Sequence, residues 1–276
     1  MPGPLTFSTA RQVLVLVSGA LALAGCATSL PPAGEGSAAY SPHVVRVVAA
    51  ENFWGSIVAQ IGGTHAHVVS VIDNPSTDPH AYEPTAADAR VLADAQVAVE
   101  NGAGYDPTVV EQFLGRVTAD LSRADPSDGP YFTARRDRYE QVGLATYHAA
   151  IARIRDRFAG TPVGASESIV AYLCPALGLD LVTPPSFLRA VSEGTDVSAG
   201  DTATINRQIR TRAIAVYLVN TQNLTPDVQA QVSAARAAGI PRVAVTETLV
   251  PSGASFQAWQ TAQLDALDAA LERSHG

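Results

Sequence analysis

The sequence contains no lysine, and all 18 of its basic side chains are arginine. With 26 acidic residues, the formal net charge at pH 7 is −8. A nucleic-acid-binding protein needs a basic patch or stripe that faces the phosphate backbone, and the arginines here form no cluster. We therefore expect no nucleic acid among the partners, and we give the missing lysine no functional meaning.

The first 26 residues have the features of an export signal. Arg11 is their only charged side chain, and an apolar run from Val13 through Leu23 follows it. This run is too short to span a bilayer comfortably, but it suits the core of a signal peptide. It ends in Leu23-Ala24-Gly25-Cys26, which resembles a bacterial lipobox. We predict a lipoprotein signal peptide over residues 1–26 with lipidation of Cys26; the alternative is a plain signal peptide with an incidental cysteine.

Residues 27–42 are rich in Ala, Pro, Gly and Ser and show no hydrophobic periodicity. They predict a flexible tether between a membrane anchor and a folded domain. Cysteine is scarce, and once Cys26 is lipidated Cys174 is the only one left, so no intramolecular disulfide can form. The apolar neighbours of Cys174 predict a small buried hydrophobe, with a thiolate metal ligand as the weaker alternative.

The rest of the chain alternates short β-branched runs with helical stretches. Strands are predicted at 43–50, 68–72, 97–100, 162–165, 214–219 and 242–246, and helices at 52–62, 85–95, 169–177, 201–212, 225–238 and 255–273. This alternation indicates an α/β fold with mostly parallel sheets. We predict a shortened N-terminal α/β lobe at 43–134 and a C-terminal α/β lobe at 160–276.

Between the two predicted lobes, residues 135–159 have a helical pattern and no convincing strand. Apolar side chains form one stripe along this segment, at Leu144, Tyr147, Ile151, Ile154 and Phe158. Three arginines lie mostly off the stripe, as they would on a helix with one buried face. We predict a single long helix that links the lobes.

Candidate metal ligands follow three of the predicted strands. Asp78-Pro79-His80-Ala81-Tyr82-Glu83-Pro84 follows the second strand, Glu167 follows the strand at 162–165, and Glu247 follows the strand at 242–246. Ligands of open α/β sheets bind at the carboxyl ends of strands, so a cleft between the lobes could unite His80, Glu167 and Glu247. One imidazole and two carboxylates suit zinc, manganese or ferrous iron.

The motif around His80, followed by an alanine-rich helix, resembles the first ligand motif of zinc/manganese ABC-transporter solute-binding proteins, the ZnuA/TroA-like family (cluster A-I). The resemblance extends over nearly all of residues 43–273. Four further stretches support it: 50–55, 101–106, 194–201 and 239–247.

The resemblance implies two α/β lobes joined by one rigid backbone helix, with a four-ligand metal site between them. His80 matches the first ligand, Glu167 the third and Glu247 the fourth. Zn²⁺ or Mn²⁺ would be the transported ligand, and the partner would be the permease of an ABC importer. The protein would then be a monomer without enzymatic activity, lipid-anchored on the extracytoplasmic face of the cell membrane.

The second ligand motif of the family, of the Asn-Pro-His-x-Trp type, is absent from this sequence. The region is short, because residues 112–114 run almost directly into 118–121. Roughly 35 to 45 residues of the usual N-terminal lobe are missing. One alternative is therefore a degenerate family member with weak metal binding that acts as an adhesin or accessory interaction protein. If the chain is not genuinely shortened here, metal capture for an importer remains the favoured hypothesis.

An enzyme is the weaker alternative, for instance a metal-dependent hydrolase that uses Glu167 or Glu247 as a base. The sequence contains no Gly-x-Ser-x-Gly elbow, no His-Glu-x-x-His and no phosphate-cradling glycine loop.

Each candidate ligand also has a non-functional interpretation. Glu167 could be a carboxylate at a helix N-terminus, and Glu247 a solvated loop acid. Of the other histidines, His65 and His67 are predicted at the surface and His148 half-buried on the linking helix.

Overall fold

The structure is a computed structural model, and it describes residues 43–100 and 107–275. The predicted signal peptide, the lipidation site Cys26 and the tether lie outside these residues. Residues 101–106, one of the stretches that carried the resemblance, also lie outside them. Residues His43–Gly276 form one compact unit.

The strands are β1 Val45–Glu51, β2 Ala66–Ile72, β3 Val97–Val99, β4 Pro162–Ala165, β5 Asp180–Leu181, β6 Val216–Asn220 and β7 Arg242–Val245. The helices are α1 Asn52–Gly62, α2 Ala86–Ala93, α3 Pro107–Ala124, α4 Gly129–Arg138, α5 Ala145–Phe158, α6 Leu173–Ala176, α7 Pro185–Ser192, α8 Ala199–Arg210, α9 Pro226–Ala237 and α10 Phe256–His275.

The strands form two separate sheets. The first sheet has the order β2-β1-β3, and the second has the order β5-β4-β6-β7. Every strand pairing within the described residues is parallel. The predicted α/β fold with parallel sheets is therefore confirmed, and the carboxyl ends of neighbouring strands lie at one edge of each sheet.

Helix α3 occupies the region in which we predicted the shortening. Residues 114–120 are the interior of this one continuous helix and not a connection between elements. The buried side chains of Val110, Leu114, Val117 and Leu121 recur at helical spacing and face the core. The N-terminal region thus closes its core with a well-packed helix.

The predicted linking helix lies within a longer helical run. The run begins with α4 at Gly129, passes through a π-helical turn at Tyr139–Gly143, and continues as α5 to Phe158. The π turn was not predicted, because a hydrophobic pattern of this length does not distinguish it from an α-helical turn. The predicted apolar stripe is confirmed, since all five of its side chains are buried.

Four elements of the second half differ from the prediction. Residues 169–177 hold a 3-10 turn at Ser168–Val170 and the short helix α6 instead of one helix. Strand β5 and helix α7 were not predicted. Helix α8 begins earlier than expected: Ser198 is its N-cap and accepts a hydrogen bond from the backbone N–H of Asp201, which therefore lies in the first turn.

The C-terminal helix α10 joins the two parts of the core. Its Trp259 stacks on Phe53 of α1, with ring centroids 5.9 Å apart, and its Phe256 meets Tyr147 of α5 edge-on at 5.7 Å. The buried hydrophobic residues consequently form one continuous cluster across both sheets. Among the described residues, no helix combines the length and apolar character needed to cross a bilayer.

Candidate metal centre

His80 lies in the loop that connects β2 to α2, on a 3-10 turn at Pro79–Ala81. The Asp78 side chain caps this turn by accepting a hydrogen bond from the backbone N–H of His80 at 2.9 Å. On the other side of the loop, Thr85 and Asp88 form a capping box at the start of α2. The loop is therefore held at both ends, and the His80 ring remains 41% exposed.

Glu167 follows β4 and Glu247 follows β7, both at the carboxyl edge of the second sheet. Their side chains are only 0% and 3% exposed. Glu167 is the N-cap of the 3-10 turn at Ser168–Val170, but its side chain makes no capping hydrogen bond to that turn. The burial of Glu247 excludes a solvated loop acid.

The three side chains converge on one point. His80 Nε2 lies 3.4 Å from Glu167 Oε1 and 3.3 Å from Glu247 Oε2. One potential ligand atom from each residue lies within 4.8 Å of the other two. The loop after the first sheet thus supplies the nitrogen, and the second sheet supplies both oxygens.

Asn220, the last residue of β6, contacts both carboxylates on the side that faces away from His80. Its Nδ2 donates hydrogen bonds to Glu167 Oε2 and, at 2.8 Å, to Glu247 Oε1. These are the outer oxygens, opposite the inner oxygens Glu167 Oε1 and Glu247 Oε2 that face His80. Because Asn220 is only 1% exposed, its amide cannot turn freely to water. A single buried donor group therefore fixes the orientation of both carboxylates.

Gln222 joins the His80 loop to the turn that carries Glu247. Its Nε2 donates to the backbone carbonyls of Pro75 at 2.8 Å and Thr77 at 3.4 Å. Its Oε1 accepts from the backbone N–H groups of Glu247 at 2.6 Å and Thr248 at 3.2 Å. The nitrogen-bearing loop and an oxygen-bearing turn are thus connected through one side chain.

The two buried carboxylates strongly affect the imidazole. The hydrogen bond that His80 donates to Glu247, together with the negative charge of both carboxylates, raises the pKa of His80 from 6.5 to about 9 against the opposing effect of burial. Burial, followed by repulsion from Glu247, raises the pKa of the Glu167 carboxyl. At neutral pH the empty site therefore holds a protonated His80, whose positive charge partly compensates the buried acids.

The other candidate side chains lie outside this cluster. His67 is exposed and His148 is half-buried, as predicted. His65 is not a free surface residue: its Nδ1 lies 2.5 Å from Asp128 Oδ2, and its ring stacks on Tyr131. Cys174 is buried, as predicted, and burial raises the pKa of its thiol to about 12.

Sequence reasoning missed the polar residues at the end of β6, namely Asn220 in the strand and Gln222 and Asn223 after it. Their signal was present, because β6 ends at Asn220 and Thr221-Gln222-Asn223 follows it directly. In the second sheet β6 lies between β4 and β7, so this end lies between the two that carry the glutamates. The strand-end argument that selected Glu167 and Glu247 would have selected these amides, had the strand order been known.

The fold and the site together define a two-sheet α/β protein with a metal-type ligand cluster at the carboxyl ends of its strands. The sequence matches the model of the ZnuA family, described as "Zinc-uptake complex component A periplasmic", over residues 47–118 and 105–270. The chain belongs to this family. The two matches overlap at residues 105–118, in the region where we predicted the shortening. The family is a transport component and not a class of enzymes.

Solved structures share the fold at low sequence identity. The periplasmic zinc-binding protein TroA from Treponema pallidum is 18% identical with a TM-score of 0.69, and the alignment covers 83% of this chain and 99% of TroA. A Mn-bound mutant of a periplasmic metal-binding protein from Candidatus Liberibacter asiaticus is 14% identical with a TM-score of 0.68, and the Cd-bound form of that protein is 14% identical with a TM-score of 0.67. Both alignments cover 82% of this chain and 99% of the other.

Proposed function

We propose that this protein captures a divalent transition metal, zinc or manganese, with His80, Glu167 and Glu247 and delivers it to the permease of an ABC importer. The observation that carries the proposal is the convergence of one imidazole nitrogen and two buried carboxylate oxygens within 4.8 Å. Two buried negative charges are unfavourable unless positive charge compensates them. A divalent cation brings more positive charge than one protonated imidazole does.

The ligand spacing supports a small ion. A tetrahedral Zn²⁺ with bonds of 2.0–2.1 Å places its ligand atoms roughly 3.4 Å apart. The two distances from His80 Nε2, 3.4 and 3.3 Å, agree with this spacing. Small rotations of the side chains would also accommodate Mn²⁺, so this geometry does not select between the two metals.

Membership of the family supports transport as the purpose of the binding. We propose that the mature protein is a monomer anchored through Cys26 on the extracytoplasmic face of the membrane and is not an enzyme. The two lobes, joined by the long helix, would present the loaded site to the permease. The degenerate-member alternative keeps the fold and predicts weak or no metal binding.

Calorimetric titration of the purified protein with Zn²⁺ and with Mn²⁺ tests the proposal, beside the His80→Ala variant. We expect sub-micromolar binding of at least one metal and its loss in the variant. The matched control is His67→Ala, which removes an exposed imidazole outside the cluster and should bind like the unchanged protein. Failure of the unchanged protein to bind either metal would favour the adhesin or accessory-protein alternative.

A further inference from the structure

The three converging groups leave one position of a four-coordinate ion open. Within residues 43–100 and 107–275, no further histidine, cysteine or carboxylate joins His80, Glu167 and Glu247. Among the described residues, a fourth ligand would therefore come from another type of side chain, and amide oxygens are good ligands for hard cations. Two amides touch the carboxylates of the site, those of Asn220 and Asn223.

Both the nitrogen and the oxygen of the Asn220 amide already make hydrogen bonds. Its nitrogen donates to the outer oxygens of both glutamates, and its Oδ1 accepts a hydrogen bond from the backbone N–H of Gln222 at 3.0 Å. Turning this buried amide would remove support from both carboxylates and place an oxygen against them. Asn220 is thus a support for the ligands and not a ligand itself.

Asn223 is placed differently. Its Nδ2 lies 3.3 Å from Glu167 Oε1, the inner oxygen that also faces His80 Nε2 at 3.4 Å. The end of this amide is therefore separated from a metal-facing oxygen by about the spacing of two ligands on one tetrahedral ion. Asn223 is partly exposed, and its Oδ1 accepts no hydrogen bond from any residue that the structure describes.

We propose that Asn223 supplies its Oδ1 as the fourth protein ligand, in place of the histidine that the family's second motif would provide. Rotation about the Cβ–Cγ bond exchanges the oxygen and nitrogen of an amide with almost no change of shape. The rotation gives up the hydrogen bond from Nδ2 to the Val191 carbonyl, 3.2 Å long, and the contact with Glu167, and it turns Oδ1 toward both of these oxygen acceptors. A cation bound by Oδ1 and Glu167 Oε1 would offset the resulting repulsion.

This inference rests on the proposed function and extends it to metal preference. With Asn223, the site offers one nitrogen ligand and three oxygen ligands. A site with a second histidine in that place would offer two nitrogen ligands and two oxygen ligands. Oxygen ligands suit Mn²⁺ better than they suit the softer Zn²⁺. We therefore expect the contribution of Asn223 to be larger for Mn²⁺ than for Zn²⁺.

A pair of substitutions separates a ligand from a supporting donor. Asp has almost the shape of Asn and offers an oxygen to the metal, but its carboxylate cannot donate a hydrogen bond to Glu167. If Asn223 is a ligand, Asn223→Ala weakens Mn²⁺ binding at least about tenfold and Asn223→Asp binds as tightly as the unchanged protein or more tightly. If Asn223 only donates to Glu167, Asn223→Asp repels that carboxylate and binds more weakly than Asn223→Ala.

The experiment is a calorimetric titration of the full-length protein and both variants with Mn²⁺ and with Zn²⁺. Asn206→Asp, an exposed asparagine on α8, controls for the added charge, and thermal unfolding without metal shows that each variant is folded. The proposal is overturned if Asn223→Ala binds Mn²⁺ as well as the unchanged protein, which makes water the fourth ligand, or if Asn223→Asp is the weakest binder. Absence of binding in the unchanged protein overturns the proposed function as well.

Discussion

Acidification should weaken metal binding steeply, because the metal competes with a proton for His80 Nε2. The carboxylates hold the pKa of His80 at about 9 in the empty site. Between pH 8 and pH 6, each unit of acidification then lowers the neutral fraction of His80 about tenfold, so the apparent affinity falls roughly 100-fold over this range. An unperturbed histidine of pKa 6.5 would produce only about a fourfold fall over the same range.

Isothermal titration calorimetry at pH 6, 7 and 8 measures both the affinity and the protons released. Repeating each titration in buffers with different ionisation enthalpies gives the number of protons, which we expect to be close to one per metal at pH 7. An affinity that changes less than fivefold from pH 8 to pH 6, with no proton release, would refute the assignment of a protonated His80 to the empty site.

Acidification weakens metal binding through His80, but through the same raised pKa it makes the metal-free protein more stable. A group whose pKa is higher in the folded than in the unfolded state stabilises the fold fully below its unfolded pKa. For His80 this stabilisation is present below pH 6.5 and is lost as the pH rises toward 9. The melting temperature measured without metal should therefore decline as the pH rises over this range. This decline should be smaller in His80→Ala.

Three further predictions concern the support of the site and the shortened region. Asn220→Ala removes the donor that holds both carboxylates; we expect a 10- to 100-fold loss of metal affinity by calorimetry and about 1–3 kcal/mol less stability in urea unfolding, and unchanged affinity would contradict its role. Gln222→Ala should weaken metal binding by calorimetry while the variant stays folded in thermal unfolding without metal, since Gln222 joins the His80 loop to the turn that carries Glu247; unchanged affinity would contradict this role. Leu114→Ala in α3 should lower the free energy of unfolding by about 2–5 kcal/mol, whereas the exposed Gln112→Ala should change it by less than about 0.5 kcal/mol; similar small effects would mean that α3 does not close the core.

Much of the fold could be predicted because short-range patterns determine it. The strands β1, β2 and β4 and the helix α1 follow β-branched runs and apolar spacing that are visible along the chain. The capping box at the start of α2 was also predictable, since its two side chains lie three residues apart. Short elements with weak patterns, such as β5 and α6, were missed or misplaced because their form depends on the packing around them.

The predicted site residues were chosen on different grounds. His80 belongs to a long motif, whereas Glu167 and Glu247 were selected because they follow predicted strands. Whether such an acid points into a site or toward water depends on its side-chain direction and burial, which only the folded chain decides. Both glutamates turned out to be almost completely buried.

The sequence by itself determined the α/β class and the family, and it supplied the predicted compartment and the candidate ligands His80, Glu167 and Glu247. Local patterns encode these features, because export signals, strands, helices and motifs are each built from neighbouring residues. Only the tertiary structure decided that Asn220 holds both glutamates, that Gln222 anchors the His80 loop, and that the Asn223 amide lies beside Glu167. The order of strands in the second sheet is a long-range property, and it places the end of β6 between two acids that lie 80 residues apart in the chain.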